Sequence, residues 1–151
     1  MEIKHFETFY KKGLYIAKQS CQNVNGSKQA IEYARKTFSK TDLNSFYNIG
    51  VLSKKLQLIL NTKTVLIKFS IDSIAKNIIK HPEISFEEYL YLDIILKNPD
   101  KIAISKTSNN SVLLLKHKEK YYQAVLKATI DKTENYLTSF RLLNETEFSK
   151  L

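Results

Sequence analysis

The chain has 151 residues, 43% hydrophobic and 26% charged, with only three glycines and two prolines; this fits a folded protein with a substantial core and excludes a long disordered linker. Lys and Arg number 24 against 15 Asp and Glu, a formal net charge of +9, an excess that favours polyanionic partners such as nucleic acid, an acidic protein or an anionic membrane surface, although a lysine-rich solvated surface gives the same count. No apolar run approaches the roughly 18 to 20 residues that span a bilayer, and "MEIKHFETFY" lacks the apolar core of a signal peptide, so the expectation is a soluble chain that this route does not export.

The charge is uneven: residues 1–40 carry a net +5, residues 41–100 balance, and residues 101–151 carry a net +4. Cys21 is the only cysteine, which rules out an internal disulfide and leaves a bystander thiol as the plain reading.

In chain order, Phe6, Phe9, Tyr10 and Leu14 fall near helical spacing, and Ala30, Ile31, Ala34 and Phe38 repeat it. Between them "CQNVNGSK" reads as a loop, with Ser27 placed to cap the second helix. Thr41, Asp42 and Asn44 break the pattern, "SFYNIG" reads as a short strand ending at Gly50, and a helix is expected after Ser53. "TVLIKFS" (64–70) is β-branched and apolar, a strand. Ile71, Ile74, Ala75, Ile78 and Ile79 then follow i, i+3, i+4, i+7, i+8, an amphipathic helix with Ser70 as N-cap and Asp72 in its first turn. Asp72, Lys76 and Lys80 line its polar face, while His81 sits at the edge of the apolar stripe, just before Pro82. A basic residue there suits the negative end of the helix dipole, and proline blocks continuation, so His81 has a structural role available as well as a chemical one. Ser85 and Glu88 form an S-x-x-E capping box, stapled by Ile84 and Tyr89, for a helix over about 86–96 that "KNPD" ends.

After residue 100 the period changes. "KIAIS", "SVLLLKHK", "YYQAVLKATI" and "YLTSFRLL" read as four strands joined by short polar turns, an antiparallel meander. Strict alternation puts Tyr121, Gln123, Val125, Lys127 and Thr129 on one face of the third run and Tyr122, Ala124, Leu126, Ala128 and Ile130 on the other. In the last run it groups Ser139 and Arg141 with Leu137, opposite Tyr136, Thr138 and Phe140. The expected fold class is α+β: N-terminal helices followed by an antiparallel meander of about four strands, within a single domain divided into a helical part (1–44), an α+β core (45–143) and a tail (144–151).

Several chemistries are disfavoured. His5, His81 and His117 lack metal-ligand spacing, and there is no Walker loop, G-x-G-x-x-G or G-x-S-x-G, so neither a metal nor a cofactor is expected. What remains is a sheet face bearing Lys127, Thr129, Ser139 and Arg141, together with His81. An antiparallel sheet usually has one wet side, and these residues are ordinary there. They also suit RNA cleavage without metal. Histidine moves protons near neutral pH, cations stabilise charge on phosphorus, and hydroxyls orient a phosphate oxygen.

The order "NIG-LS", "FSIDSIAKNIIKHPEIS", "EEYLYLDIILKNPDKI", "YYQAVLKAT", "LTSFRL" over about 46–143 resembles the phage- and toxin-associated nucleases of the barnase, EndoU, colicin and RelE type. The resemblance implies a metal-independent endoribonuclease acting through 2′-hydroxyl attack to leave a 2′,3′-cyclic phosphate, with RNA, tRNA included, as substrate. It implies an acidic immunity or antitoxin protein as partner, and a cytoplasmic site of action reached by delivery within a secreted or phage-borne protein. Position by position, it assigns His81 to proton transfer, Lys127 and Arg141 to phosphate charge, and Thr129 and Ser139 to positioning. Lys76, Lys80, Lys116 and the N-terminal lysines would meet the RNA backbone, and Tyr121 or Tyr122 would stack on a base. Where the pattern has a histidine after the helix lysine, this chain has Asn77, which exchanges no proton near neutral pH; His117, alternating with Leu113 and Leu115, is a reserve candidate more suited to packing. The alternative is a non-catalytic basic module that binds nucleic acid or a protein, or a structural accessory role.

Overall fold

The computed structural model describes residues 1–104 and 119–150, together with the backbone of 110–117. Three helices come first: α1 (Ile3–Asn23), α2 (Ser27–Thr37) and α3 (Lys40–Asn44). α1 runs through the first half of the expected loop, and the turn into α2 is made at Gly26, whose φ of 90° suits glycine. Strand β1 (Phe46–Val51), helix α4 (Lys54–Leu60, capped by Ser53) and strand β2 (Leu66–Ser70) follow, then α5 (Ile71–Lys80), whose N-cap Ser70 accepts from the Ser73 N–H.

The expected 86–96 helix is divided into α6 (Phe86–Tyr89) and α7 (Leu92–Lys97). The i→i−3 bonds from the Leu90 and Tyr91 N–H groups tighten the chain between them. The capping box at Ser85 and Glu88 is present. β3 (Lys101–Ile104), β4 (Asn110–His117), β5 (Lys120–Ala128), β6 (Asn135–Leu143) and a terminal helix α8 (Glu145–Lys150) complete the chain.

The α+β arrangement of helices first and sheet after holds, and β3, β4, β5 and β6 pair successively as antiparallel neighbours. The sheet is larger than a four-stranded meander and is mixed. Among the described residues its order is β1-β2-β6-β5-β4-β3, with β2 parallel to β6. The parallel contact is short, Ile67 with Asn135 and Lys68 with Tyr136, and the buried Asn135 fastens it by donating to the Thr64 and Leu66 carbonyls at 2.8 and 3.0 Å. Nothing in the local pattern of either strand signals this pairing, because the partners lie more than sixty residues apart.

β2 leaves the sheet at Ser70, and α5 continues alongside β6 in its place. There Asn77 supplies what a neighbouring strand would. Its Oδ1 accepts from the Phe140 N–H at 2.9 Å and its Nδ2 donates to the Phe140 carbonyl at 2.8 Å. Nδ2 also donates to the Tyr89 hydroxyl at 2.8 Å. Asn77 is 2% exposed and both partners are fully buried. The position that the nuclease resemblance fills with a histidine is therefore occupied by an amide whose shape the site uses.

The helices that precede β3 cover one face of the sheet. Phe6, Phe9 and Ile16 of α1, Leu43 of α3, Phe69, Ile74, Tyr89, Ile95, Tyr122, Leu126, Leu137 and Phe140 belong to one buried cluster, so the segment 1–44 shares the core of the segment that follows. α1 packs directly on α5 at Gly13, where a Cβ would stand 2.5 Å from Ile74 Cγ2. Only glycine allows that approach.

Strict alternation fails in β6. Leu126 pairs with Leu137 and Val125 with Ser139, which leaves Thr138 as an extra residue in a β-bulge. Its hydroxyl donates to the Val125 carbonyl at 3.3 Å. The bulge lets Leu137 and Phe140 both face the core. Ser139 and Arg141 therefore share the open face with Tyr136, not with Leu137, as cross-strand partners of Val125, Gln123 and Lys127 on β5.

Candidate nucleic-acid interface

α5 carries Lys76 and Lys80 on its polar face. Asp72, Lys76 and Lys80 stand on successive turns, as the helical spacing requires. Asp72 accepts a two-armed bond from Arg35 of α2, with both N···O distances 3.1 Å. Lys76, half-buried, has its pKa lowered by burial first and then by the charges of Lys80 and Arg35, with Asp72 acting against them. His81 forms the C-cap, its N–H bonded to the Asn77 carbonyl at 2.8 Å. Its side chain is 24% exposed, and Nδ1 lies 3.7 Å from Glu83 Oε1. Burial lowers its pKa below the usual 6.5; Glu83 raises it, while Arg141 and Lys80 lower it. Arg35 of α2 and Lys80 thus stand close enough to Lys76 to act on its charge, and Lys80 and Arg141 of β6 close enough to act on that of His81, so these residues run as neighbours from α2 along α5 to the end of β6.

Arg141 is held on the open face. Its Nη2 donates to Gln123 Oε1 at 3.3 Å and its Nη1 meets Glu147 Oε2 at 3.5 Å. Lys101, Leu114, Gln123 and Arg141 follow one another across β3, β4, β5 and β6. Glu83, Gln123 and Glu147, none of them an expected site residue, are in contact with His81 and Arg141. Glu83, two residues after the histidine and across Pro82, was the one with a local signal.

The expected cradle of Lys127, Thr129, Ser139 and Arg141 does not converge. Lys127 pairs with Tyr136 and Arg141 with Gln123, so the two cations stand four residues apart along β5, about 13 Å at ~3.3 Å per residue. Lys127 is exposed beyond the bulge, and Ser139 is half-buried between the two cations. Thr129 has left the strand: its N–H donates to the Glu134 carbonyl at 2.9 Å and its hydroxyl to Asp131 at 2.7 Å. That carboxylate also takes the Thr133 N–H and hydroxyl, and these bonds hold its pKa near 2. Thr129 closes a turn in which Lys132 has a φ of 64°. Lys116 and His117 fall on β4, whose side chains lie outside the described residues.

Tyr122 is 1% exposed, with no free ring face for a base. It stacks on Phe140, and its hydroxyl donates to Glu88 Oε2 at 2.5 Å. Glu88 also accepts from Ser85 and faces Lys120 at 3.5 Å. Burial opposes the charge of Glu88, but these donors outweigh it and hold its pKa below the ordinary carboxylate value, while burial first and the carboxylate second push the Tyr122 hydroxyl up. A lowered carboxylate pKa contributes stability that is present above the unfolded value and lost as pH falls through the folded one. Glu88→Gln is accordingly expected to cost about 1–2 kcal/mol at pH 7 and progressively less toward pH 3, read from urea unfolding across that range.

A cleft of about 540 Å³ between α1, α3 and the start of α5, lined by Lys11, Lys12, Tyr15, Phe38 and Ile71 among others, includes two of the N-terminal lysines expected to meet RNA but none of His81, Lys127, Thr129, Ser139 or Arg141. Among the described residues no helix is long and apolar enough to cross a membrane, and no three of His, Cys, Asp or Glu cluster as metal ligands would. No protein-family model, curated protein or solved structure matches the chain.

Proposed function

We propose that the protein binds single-stranded RNA along the α5 ridge. The observation that carries this reading is the placing of Lys76 and Lys80 on successive turns of α5, with Arg35 of α2 beside Lys76 and Arg141 of β6 beside His81; burial first, and these neighbouring cations after it, lower the pKa of Lys76 and His81. Like charges on successive turns destabilise the free helix, and a phosphate backbone laid along them relieves that repulsion while releasing counterions. Lys76 and Lys80 are about 6 Å apart along the axis at ~1.5 Å per residue, a spacing that suits successive contacts with one strand. The net charge of +9 adds long-range attraction. Anisotropy of a labelled twelve-nucleotide RNA, titrated from about 50 to 200 mM salt, tests the reading: binding weakens steeply with salt, with a log–log slope of about −0.7 per phosphate held. Absence of binding at the lowest salt, or a clear preference for duplex DNA, overturns it.

A second reading is metal-independent cleavage of the bound RNA, favoured by the nearness of His81 to Arg141 and Glu83. A lowered pKa leaves the imidazole neutral at pH 7, ready to take the proton of a ribose 2′-hydroxyl. The 2′-oxygen then attacks phosphorus, Arg141 stabilises the phosphorane oxygens, and the 5′-oxygen leaves with a proton from water, giving a 2′,3′-cyclic phosphate and a 5′-hydroxyl. An acidic inhibitor laid on the same ridge would block it. His81→Ala should abolish cyclic-phosphate ends and leave most RNA affinity intact; ends that persist in that variant, or that require magnesium, remove this reading. The histidine also has a stability signature. With its folded pKa below 6.5, the unfolded chain binds its proton more readily, so stability rises with pH up to about 6.5, and His81→Gln flattens that rise.

A further inference from the structure

α8 lies on the open face of the sheet, where the α5 ridge ends. None of its side chains is buried, and Glu147 and Phe148 are its two half-buried residues. Asn144 and Glu147 form a reciprocal cap: Asn144 Oδ1 accepts from the Glu147 N–H at 2.7 Å and Glu147 Oε1 from the Asn144 N–H at 3.1 Å. The second carboxylate oxygen, Oε2, is the one on Arg141. Beside it, the Phe148 ring packs on Tyr121 with centroids 4.6 Å apart and an interplanar angle of 42°. Lys101 Nζ stands over the same Phe148 ring, 4.4 Å from its centroid, and donates to the Phe148 carbonyl at 2.9 Å. Two consecutive residues thus present an anion to an arginine and a flat ring to a tyrosine under a lysine.

We infer that this patch of Lys101, Tyr121, Gln123 and Arg141 is a nucleotide subsite and that α8 occupies it in place of the ligand. The inference rests on the RNA reading and extends it. A nucleotide offers the same two features side by side, a phosphate and an aromatic base. The phosphate takes the place of the Glu147 carboxylate on the Arg141 fork, which holds two oxygens at once. The base takes the place of the Phe148 ring on Tyr121, where stacking tolerates any base. Lys101 remains above as a second cation for phosphate or ring. α8 is suited to leaving: six residues form a helix only marginally, and here no buried side chain retains it. Its contacts are of the kind that a strand of RNA arriving along α5 replaces one for one, and Arg141 is the residue common to the ridge and the patch.

The test uses the full chain and the labelled twelve-nucleotide RNA. Phe148→Ala changes no charge, and Glu147→Gln removes the carboxylate from Arg141. The combined variant should bind RNA about five- to tenfold tighter than wild type, in the range expected of one base stack released, because the strand no longer has to displace the carboxylate and the ring from Arg141 and Tyr121. Adding Arg141→Ala should cancel the gain. Glu145→Gln, with the same change in net charge on an exposed residue of the same helix, should give a much smaller gain, which separates release of the patch from general attraction. Far-UV circular dichroism and a thermal melt verify that the core stays folded. Wild type that binds through the ridge while Glu147→Gln/Phe148→Ala binds no tighter, or a gain matched by Glu145→Gln, overturns the subsite and leaves the ridge standing. A double variant that binds where wild type does not supports the subsite and its occlusion. Absence of RNA binding in every variant removes both.

Discussion

Asn77→Ala is expected to lower the unfolding free energy by about 3–4 kcal/mol, a large share of the ~5–15 kcal/mol that holds a domain of this size together. The residue is 2% exposed and all three of its bonds go to buried groups. Truncation leaves the Phe140 N–H and carbonyl without partners on the stretch of β6 beyond its short contact with β2, and each unsatisfied buried group costs about 1–3 kcal/mol. Urea unfolding followed by far-UV circular dichroism reads the loss as a lower midpoint at unchanged slope. Asn77→Asp sharpens the test. An ionised aspartate accepts from the Phe140 N–H but has no proton for the Phe140 carbonyl, and burial opposes its charge, so its folded pKa is raised. A raised pKa contributes stability that is complete below the unfolded value near 4 and lost as pH rises through the folded one. The variant should therefore approach wild type at pH 4 and fall well below it at pH 8. Equal loss at both pH values would show that Asn77 acts by packing and not by pairing with the backbone. Asn77→His, which restores the residue expected from the nuclease resemblance, should destabilise without conferring cleavage, because an imidazole cannot reach both groups of Phe140 and has no route to solvent from there.

Asn77 also marks where local reading of the sequence stops. Periodicity located α5 to the residue, because Ser70, Asp72 and the five apolar positions obey rules that operate within one helix. The capping box at Ser85 and Glu88 is legible for the same reason. What Asn77 touches lies sixty-three residues away, and no pattern in α5 announces it. β6 shows a similar limit. Alternation is a sound rule until one residue is inserted, and Thr138, the inserted residue, has no local feature that sets it apart from its neighbours. Tyr121 and Tyr122 were interchangeable as candidate base-stacking residues; pairing with Leu142 on the core side buries one, and pairing with Leu143 on the open side leaves the other beneath Phe148. The tail 144–151 carries too few apolar residues to signal packing, and its contacts with Arg141, Tyr121 and Lys101 depend on the register of four strands. Local chemistry fixed the elements, and the long-range pairings decided which polar residues meet.

Lys76→Ala/Lys80→Ala/Arg141→Ala is expected to weaken RNA binding by about thirty- to a hundredfold at about 100 mM salt and to reduce the log–log salt slope by about 2. The slope follows from three phosphate contacts at about 0.7 each on a single strand. The affinity follows from three surface cation–phosphate contacts, Lys80 exposed and Lys76 and Arg141 half-buried, near the upper end of the ~0.2–1 kcal/mol range, summing to about 2–3 kcal/mol, with ~1.4 kcal/mol for each tenfold. Geometry, not charge count, is the point at issue. Lys54, Lys55 and Lys63 are also exposed and lie on or just after α4, away from α5. Lys54→Ala/Lys55→Ala/Lys63→Ala lowers the net charge by the same three and should cost less than about fivefold, since at that salt the Debye length of ~10 Å screens charges the strand does not touch. The double change Lys76→Ala/Lys80→Ala, which leaves the Arg141–Glu147 pair in place, should also stabilise the free protein slightly, because it removes like charges from successive turns of α5. Stability gained while binding is lost is what a surface built for a polyanion predicts and what a merely solvated lysine surface does not. If the two triple variants lose affinity equally, the ridge has no privileged place and the positive charge acts only as a diffuse field.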